Sequence, residues 1–280
     1  MTATPVPRRL YVYDDLSEEL RGHGADESRV QRLGQTLLAL LRQDPRVVLL
    51  TLDEQIHGLI ARAANAPFAV AIGVGRAGTR VAAEIHARTG WFPTIERVDV
   101  WREEDDAGRY ALAGPAPLTS QLGAVADRDS VAVVDDTIFS GLTMRAVLAA
   151  LPPRPARRVH AFCLRGVALS VEAVARVAPV TAGLLAPGRI LEDVSFINAS
   201  GLIHRGAIRR ARRPPLAFFE RPEWMAAWFP GYAGDAIALC REIHEAVEAP
   251  PGGRAPRRRR GSPAPSAPPG PRRRGSSARR

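Results

Sequence analysis

Residues 131–143 read VAVVDDTIFSGLT: four apolar, mostly β-branched residues run into two adjacent acids, which give way at once to Thr, Ser, Gly and Thr. A run this uniformly apolar predicts a strand buried on both faces, an environment found inside a parallel sheet with helices packed on each side. Asp135 and Asp136 then stand where the strand leaves the sheet. The small hydroxyl-bearing turn beyond them leads into the helical pattern GLTMRAVLAAL.

The rest of the chain supplies the partners such a strand needs. SRVQRLGQTLLALLRQ places Val30, Leu33, Leu37, Leu38 and Leu41 at helical spacing, and PRVVLLTL follows as a strand. DEQIHGLIARAAN is a second helix with Ile56, Leu59, Ile60 and Ala63 on one stripe, and PFAVAIGV is another strand of the doubly buried kind. RAGTRVAAEIHARTG returns to helix, TIERVDVW to strand, RRVHAFCL to strand and SVEAVARVA to helix. This alternation predicts a doubly wound α/β fold with a mainly parallel sheet. We expect a lead over residues 1–27, an α/β core over 28–185, a divergent appendage over 186–248 where the rhythm breaks, and a tail over 249–280.

Charge sets the tail apart. All 39 basic residues are Arg, and ten of them follow Pro250, where no Asp or Glu occurs, which leaves 29 Arg against 29 acids before it. The net charge of +10 thus belongs to a segment of Pro, Gly, Ser, Ala and Arg. Such a composition predicts disorder; a solvated tail is the favoured reading, and contact with nucleic acid is expected only through these Arg residues, if at all. Cys163 and Cys240 lack the spacing of a disulfide framework or a zinc site and suit a reducing cytoplasm. No apolar run approaches the ~18 residues of a membrane span, and the N-terminus lacks an apolar signal region, so no membrane partner is expected.

A second glycine-bearing segment, GVGRAG at 73–78, follows a strand and opens a helix. With Glu96 roughly twenty residues on, it satisfies the dinucleotide fingerprint. In that class the unit usually opens the sheet, whereas a helix, a strand and a helix precede it here. The preferred reading is a backbone cradle for pyrophosphate, in which Gly75 and Gly78 allow close approach and Arg76 offers a cation.

VAVVDDTIFSGLT resembles the phosphoribosyl pyrophosphate (PRPP) motif of type I phosphoribosyltransferases, with Ser140 for the commoner Thr and Leu142 for a small residue. The resemblance implies that Asp135 and Asp136 accept hydrogen bonds from two ribose hydroxyls. Thr137, Ile138, Phe139, Ser140, Gly141, Leu142 and Thr143 would receive the 5-phosphate on backbone N–H groups and hydroxyls at a helix N-terminus. An ordinary capped strand end explains one of these residues and leaves the doubled acid unexplained. GVGRAG is then similar to the family's pyrophosphate loop, formed by Val74, Gly75, Arg76, Ala77, Gly78 and Thr79. VDVWREEDDAGRYALAG (98–114) is similar to the mobile catalytic loop of the orotate branch in Arg102, Gly108 and Gly114. Glu103 and Asp105 stand where that branch has Lys, so a solvated surface loop is an equal alternative.

From this resemblance we expect a five-stranded parallel core with a C-terminal hood that selects the acceptor. Asp135, Asp136 and Arg102 would be the catalytic residues, and Mg²⁺ would be carried mainly on substrate phosphate oxygens rather than by a dedicated set of protein ligands. PRPP and a small-molecule acceptor are the expected partners, with a homodimer among the open assemblies. Two functions remain in play: transfer of 5-phosphoribosyl to an unassigned, specialised acceptor with release of pyrophosphate, and a non-catalytic regulator that senses PRPP. In the appendage Phe218, Phe219, Trp224, Trp228 and Phe229 line an acceptor pocket or, as the preferred reading, pack a core.

Overall fold

The structure is a computed structural model that describes residues 5–20, 26–63 and 67–248; the expected disordered tail lies outside the described residues. In chain order the elements are β1 (Arg9–Tyr13), α1 (Leu16–Glu19), α2 (Glu27–Leu41), β2 (Val47–Leu50), α3 (Leu52–Arg62), β3 (Val70–Val74), α4 (Gly75–Thr89) and β4 (Ile95–Val98). They continue with β5 (Trp101–Glu104), β6 (Tyr110–Ala113), α5 (Leu118–Gln121), β7 (Ser130–Ile138), α6 (Leu142–Ala149), β8 (Arg158–Val167), α7 (Ala168–Ala175) and β9 (Val180–Ala186). Last come β10 (Val194–Asn198), α8 (Ala199–Ile203), β11 (Ile208–Arg210), β12 (Arg213–Leu216), α9 (Pro222–Trp228) and α10 (Ala233–Glu248).

The apolar strands assemble as their patterns require. A five-stranded sheet of order β4-β3-β7-β8-β9 is parallel throughout, and every residue of β3 is buried. Ala132, Val134, Phe162 and Leu164 face Ile56, Leu59, Val81 and Ile85 of α3 and α4. On the opposite face Val131, Val133 and Cys163 meet Met144, Val147 and Val174 of α6 and α7. The chain therefore has an α/β fold with a parallel five-stranded core, and a further C-terminal region is built beside it.

Helix α3 starts where Thr51 caps it: the Thr51 hydroxyl accepts from the Glu54 N–H at 3.3 Å, and the Glu54 carboxylate accepts from the Thr51 N–H at 3.1 Å. This reciprocal box satisfies two otherwise orphaned donors. Thr51→Ala is expected to cost about 1 kcal/mol, read as a lower midpoint with an unchanged slope in urea unfolding.

A second parallel sheet, β10-β1-β2, draws its strands from distant parts of the chain. The segments expected as lead, core and appendage thus meet in one sheet, with Leu10 opposite both Val47 and Ser195. Strand β2 is only half-buried over most of its length, as an edge strand of this sheet is. Periodicity marks PRVVLLTL as a strand but carries no information about which sheet it joins. Leu10 and Val12 pack with α2, α8 and α10 in a separate core that contains Phe219, Trp228 and Phe229, with Phe218 and Trp224 against it. The appendage aromatics therefore pack this core, as the preferred reading had it. No helix among the described residues is long and apolar enough to cross a membrane.

Asp15 closes this second core. It is 4% exposed and accepts hydrogen bonds from the Ser200 N–H, at 2.7 Å, and from the Ser200 hydroxyl. Burial pushes its carboxyl up to about 6 despite these donors. A folded-state value above the ordinary one means that the native state keeps a proton the unfolded chain has released. Stability from this group is thus full below about pH 4 and is lost as pH rises through about 6. Relative to Asp15→Asn, the wild type should lose up to about 3 kcal/mol between pH 4 and pH 7 in urea unfolding. Parallel pH profiles for the two proteins would contradict this.

Candidate functional site

The order of the core sheet singles out one crevice. From β3 the chain steps outward to β4 on one side, and from β7 it steps to β8 and β9 on the other. Adjacent strands with helices leaving in opposite directions open a cleft at their carboxyl ends, where ligands of open α/β sheets bind. Both glycine-bearing segments empty there: GVGRAG ends β3 and DDTIFSG ends β7, with Gly73 paired to Val134.

The three glycines of the first segment do different work. A Cβ on Gly73 would lie 2.3 Å from Thr79 Cα, and one on Gly78 would lie 2.3 Å from the Val134 carbonyl oxygen. Gly78 thereby lets the first turn of α4 rest on β7 beside Asp135. Gly75 has φ +59° and open space above it. Thr79 Oγ1 donates to Gly75 O at 2.7 Å, and Arg76 and Ala77 are exposed on the same turn.

In the second segment Asp135 and Asp136 are both half-buried. Asp135 Oδ1 accepts the Asp136 N–H at 2.8 Å. Burial and the neighbouring Asp136 carboxylate hold Asp135 well above the usual carboxylate range, while the Arg102 guanidinium acts in the opposite direction. Asp136 Oδ2 accepts from Thr137 Oγ1 at 3.1 Å and from Arg165 Nη2 at 3.1 Å. Ile138 is buried in the core, and Phe139 packs beside Tyr11 and Phe196, so these two contribute packing. Gly141 turns the chain with φ +73° into α6. Exposed Ser140 accepts the Leu142 N–H at 3.4 Å, and Leu142 and Thr143 occupy the first turn, where N–H groups have no intrahelical acceptor.

The stretch 98–114 is an antiparallel hairpin of β5 and β6 rather than an open loop. It is extended by β11 and β12 into a four-stranded sheet of order β12-β11-β5-β6. Its tip turns at Gly108 (φ +75°), where Asp105 accepts the Ala107 and Arg109 N–H groups, each at 2.9 Å. Each of the four consecutive acids has a donor: Glu103 from Trp101 Nε1 at 2.7 Å, Glu104 from Arg221, Asp105 from Arg109 and Asp106 from Arg213 at 2.6 Å. The charges of Glu104, Asp105 and Asp106 are offset by these Arg residues, whereas Glu103 meets only a neutral indole N–H. Arg102 stays exposed, its Cζ 6.0 Å from the Tyr110 ring centroid. The sequence signal for the hairpin is the DDAG turn between two strand-length segments.

One residue of the site was not foreseen. Arg165, on β8, has a side chain 1% exposed and pairs with Asp136. Its only sequence signal is a charge inside an apolar strand pattern, RVHAFCLRGV, and Arg is almost never fully buried unless paired.

No family model and no curated protein matches the chain. Among solved structures it is similar to a hypothetical protein from Neisseria gonorrhoeae with bound ppGpp, at 17% identity and TM-score 0.39, over 52% of this chain and 85% of that one. It is also similar to the purine phosphoribosyltransferase from Pyrococcus horikoshii Ot3, at 20% identity and TM-score 0.34, over 52% of this chain and 86% of that one. A third is the orotate phosphoribosyltransferase from Aeropyrum pernix, at 18% identity and TM-score 0.30, over 48% of this chain and 69% of that one.

Proposed function

We propose that the chain is a PRPP-dependent phosphoribosyltransferase, a pentosyltransferase that moves 5-phosphoribosyl to a small-molecule acceptor and releases pyrophosphate. One observation carries the reading: a doubled acid with a hydroxyl-rich turn and a glycine-bearing helix start flank the same cleft, at the ends of adjacent strands β7 and β3. Asp135 and Asp136 receive the ribose hydroxyls, residues 137–143 the 5-phosphate and residues 74–79 the diphosphate. Arg102 supplies the cation over the leaving group. Because positive charge develops on the sugar ring, the rate comes from positioning and electrostatic stabilisation rather than covalent chemistry.

Mg²⁺ is the cation this reading calls for. A hydrated ion would be carried mainly on substrate oxygens, with Asp135 and Asp136 the carboxylates at hand; when bound, it would offset charge on the departing pyrophosphate. The cytoplasm is the proposed compartment, in keeping with two unpaired thiols that are both buried.

The second reading, a PRPP-sensing regulator, is favoured by the hairpin. Glu104–Arg221 and Asp106–Arg213 hold it to the hood, where a catalytic loop would have to move. Incubation with Mg²⁺, PRPP and a panel of nucleobases, orotate, aromatic acids and amino sugars separates the two. Pyrophosphate release with one acceptor supports the transferase, binding without turnover across the panel supports the regulator, and no binding of PRPP contradicts both.

A further inference from the structure

We propose that Arg165 is a positioning residue of this site: it orients the Asp136 carboxylate for a ligand hydroxyl and ties that orientation to the β10-β1-β2 sheet. The inference rests on the ribose reading of Asp136. The Arg165 guanidinium reaches four elements at once. Nη1 donates to Gln55 Oε1 of α3 at 3.0 Å, and Nη2 donates to Asp136 Oδ2 of β7 at 3.1 Å and to Asn198 Oδ1 of β10 at 2.7 Å. Its Cζ lies 4.9 Å from the ring centroid of Tyr13 on β1. Gln55 is itself fixed, since its Nε2 donates to Thr51 O at 2.9 Å.

Two features make this more than an internal ion pair. First, Arg165 and Thr137 both donate to the same oxygen, Oδ2, while the Asp136 carboxyl also shares a side-chain hydrogen bond with Asp135, so Arg165 fixes the acid at one oxygen beside its partner in the motif. A carboxylate held at one oxygen by protein donors presents a set orientation to an incoming donor, such as a sugar hydroxyl. Second, the pair is asymmetric in exposure: Arg165 is 1% exposed while Asp136 keeps 20%. An ion pair kept only for stability gives little over apolar residues of the same volume, because both charges must be desolvated. Here the desolvated member is the anchor and the member facing the cleft is the acid of the motif. Through Asn198 and Tyr13 the anchor also needs β10 and β1 in place, so a competent site requires the second sheet to be docked.

The test is a double-mutant cycle read by calorimetric titration of PRPP in excess Mg²⁺, with thermal melting as the check on folding. Arg165→Met and Asp136→Asn should each weaken binding about tenfold or more, as loss of a charge-assisted hydrogen bond does. In the Asp136→Asn background, Arg165→Met should add less than about twofold, because its effect runs through that carboxylate. If Arg165→Met does not fold, Asn198→Ala removes one acceptor while leaving the charge paired, and it should still weaken binding several-fold. Equal losses from Arg165→Met in both backgrounds, or no loss from the Arg165 and Asn198 changes in a wild type that binds PRPP, overturn this inference alone. A wild type that does not bind PRPP overturns the ribose reading and the inference together.

Discussion

Asp136→Ala should melt well below the wild type and lose PRPP binding, while Asp136→Asn should weaken binding about tenfold or more with less damage to the fold. The reason lies in what each change leaves behind. Alanine removes the only carboxylate paired with Arg165 among the described residues, and the guanidinium is 1% exposed. An uncompensated buried cation costs about 3 kcal/mol, at the low end of the usual range because Gln55 and Asn198 still accept from it. For a folded unit of this size that corresponds to roughly 10 °C in Tm. Asparagine keeps an acceptor oxygen for Arg165 but removes the negative charge a ribose hydroxyl meets. Asp135→Asn behaves in the opposite way for stability: burial and Asp136 hold that carboxyl well up, so removing it relieves repulsion and should leave Tm unchanged or raised. An Asp136→Ala protein that melts with the wild type would mean that Arg165 is stabilised by something other than this pair.

Gly78→Ala is expected to be as damaging as any single methyl in the GVGRAG loop, alongside Gly73→Ala. The new Cβ would stand 2.3 Å from the Val134 carbonyl oxygen and 3.2 Å from Asp135 Cα, and both are backbone atoms of a central strand. Neither can rotate away, so α4 must lift from β7. Overpacking of this kind costs about 1–3 kcal/mol, and with a backbone obstacle the upper figure applies. The displaced first turn also carries Gly75, Arg76 and Thr79, so diphosphate binding should fall with stability. Gly75→Ala is the contrast. It has open space and only the left-handed φ of +59° to oppose it, a cost of about 1 kcal/mol. Parallel melting of the two variants would contradict the packing role assigned to Gly78.

Local pattern carries the core of this fold because its strands are buried on both faces. PFAVAIGV and VAVV are apolar without alternation, as RRVHAFCL becomes from Ala161 on, and β3, β7 and β8 are the three central strands. Strand β9 is less legible, since VTAGLLA mixes Thr and Gly into its run; Gly183 is there because α3 approaches so closely that a Cβ would meet Gln55 O at 2.5 Å. The second sheet is illegible for a different reason. RLYVY and VSFIN are too short to stand out and VVLL reads as a strand without a partner, because their pairing joins residues near 10, 48 and 196, a separation on which hydrophobic period is silent. The candidate site divides the same way. Asp135, Asp136 and the turn after them follow from chemistry at a strand end, whereas Arg165 is a partner chosen by the tertiary fold. The acids at 104–106 look repulsive to a diphosphate until Arg109 pairs with Asp105 across the tip and Arg221 and Arg213 are brought to Glu104 and Asp106 from distant turns of the chain.

The central claim is that the cleft between β3 and β7 holds an activated ribose phosphate. A crystal structure of the chain with PRPP and Mg²⁺ tests it most directly. The account predicts ribose hydroxyls on Asp135 and Asp136, the 5-phosphate over the amides of 139–143 and the diphosphate at 74–79. Ligand density lying elsewhere on the chain, with no ligand hydroxyl on either aspartate, would contradict it.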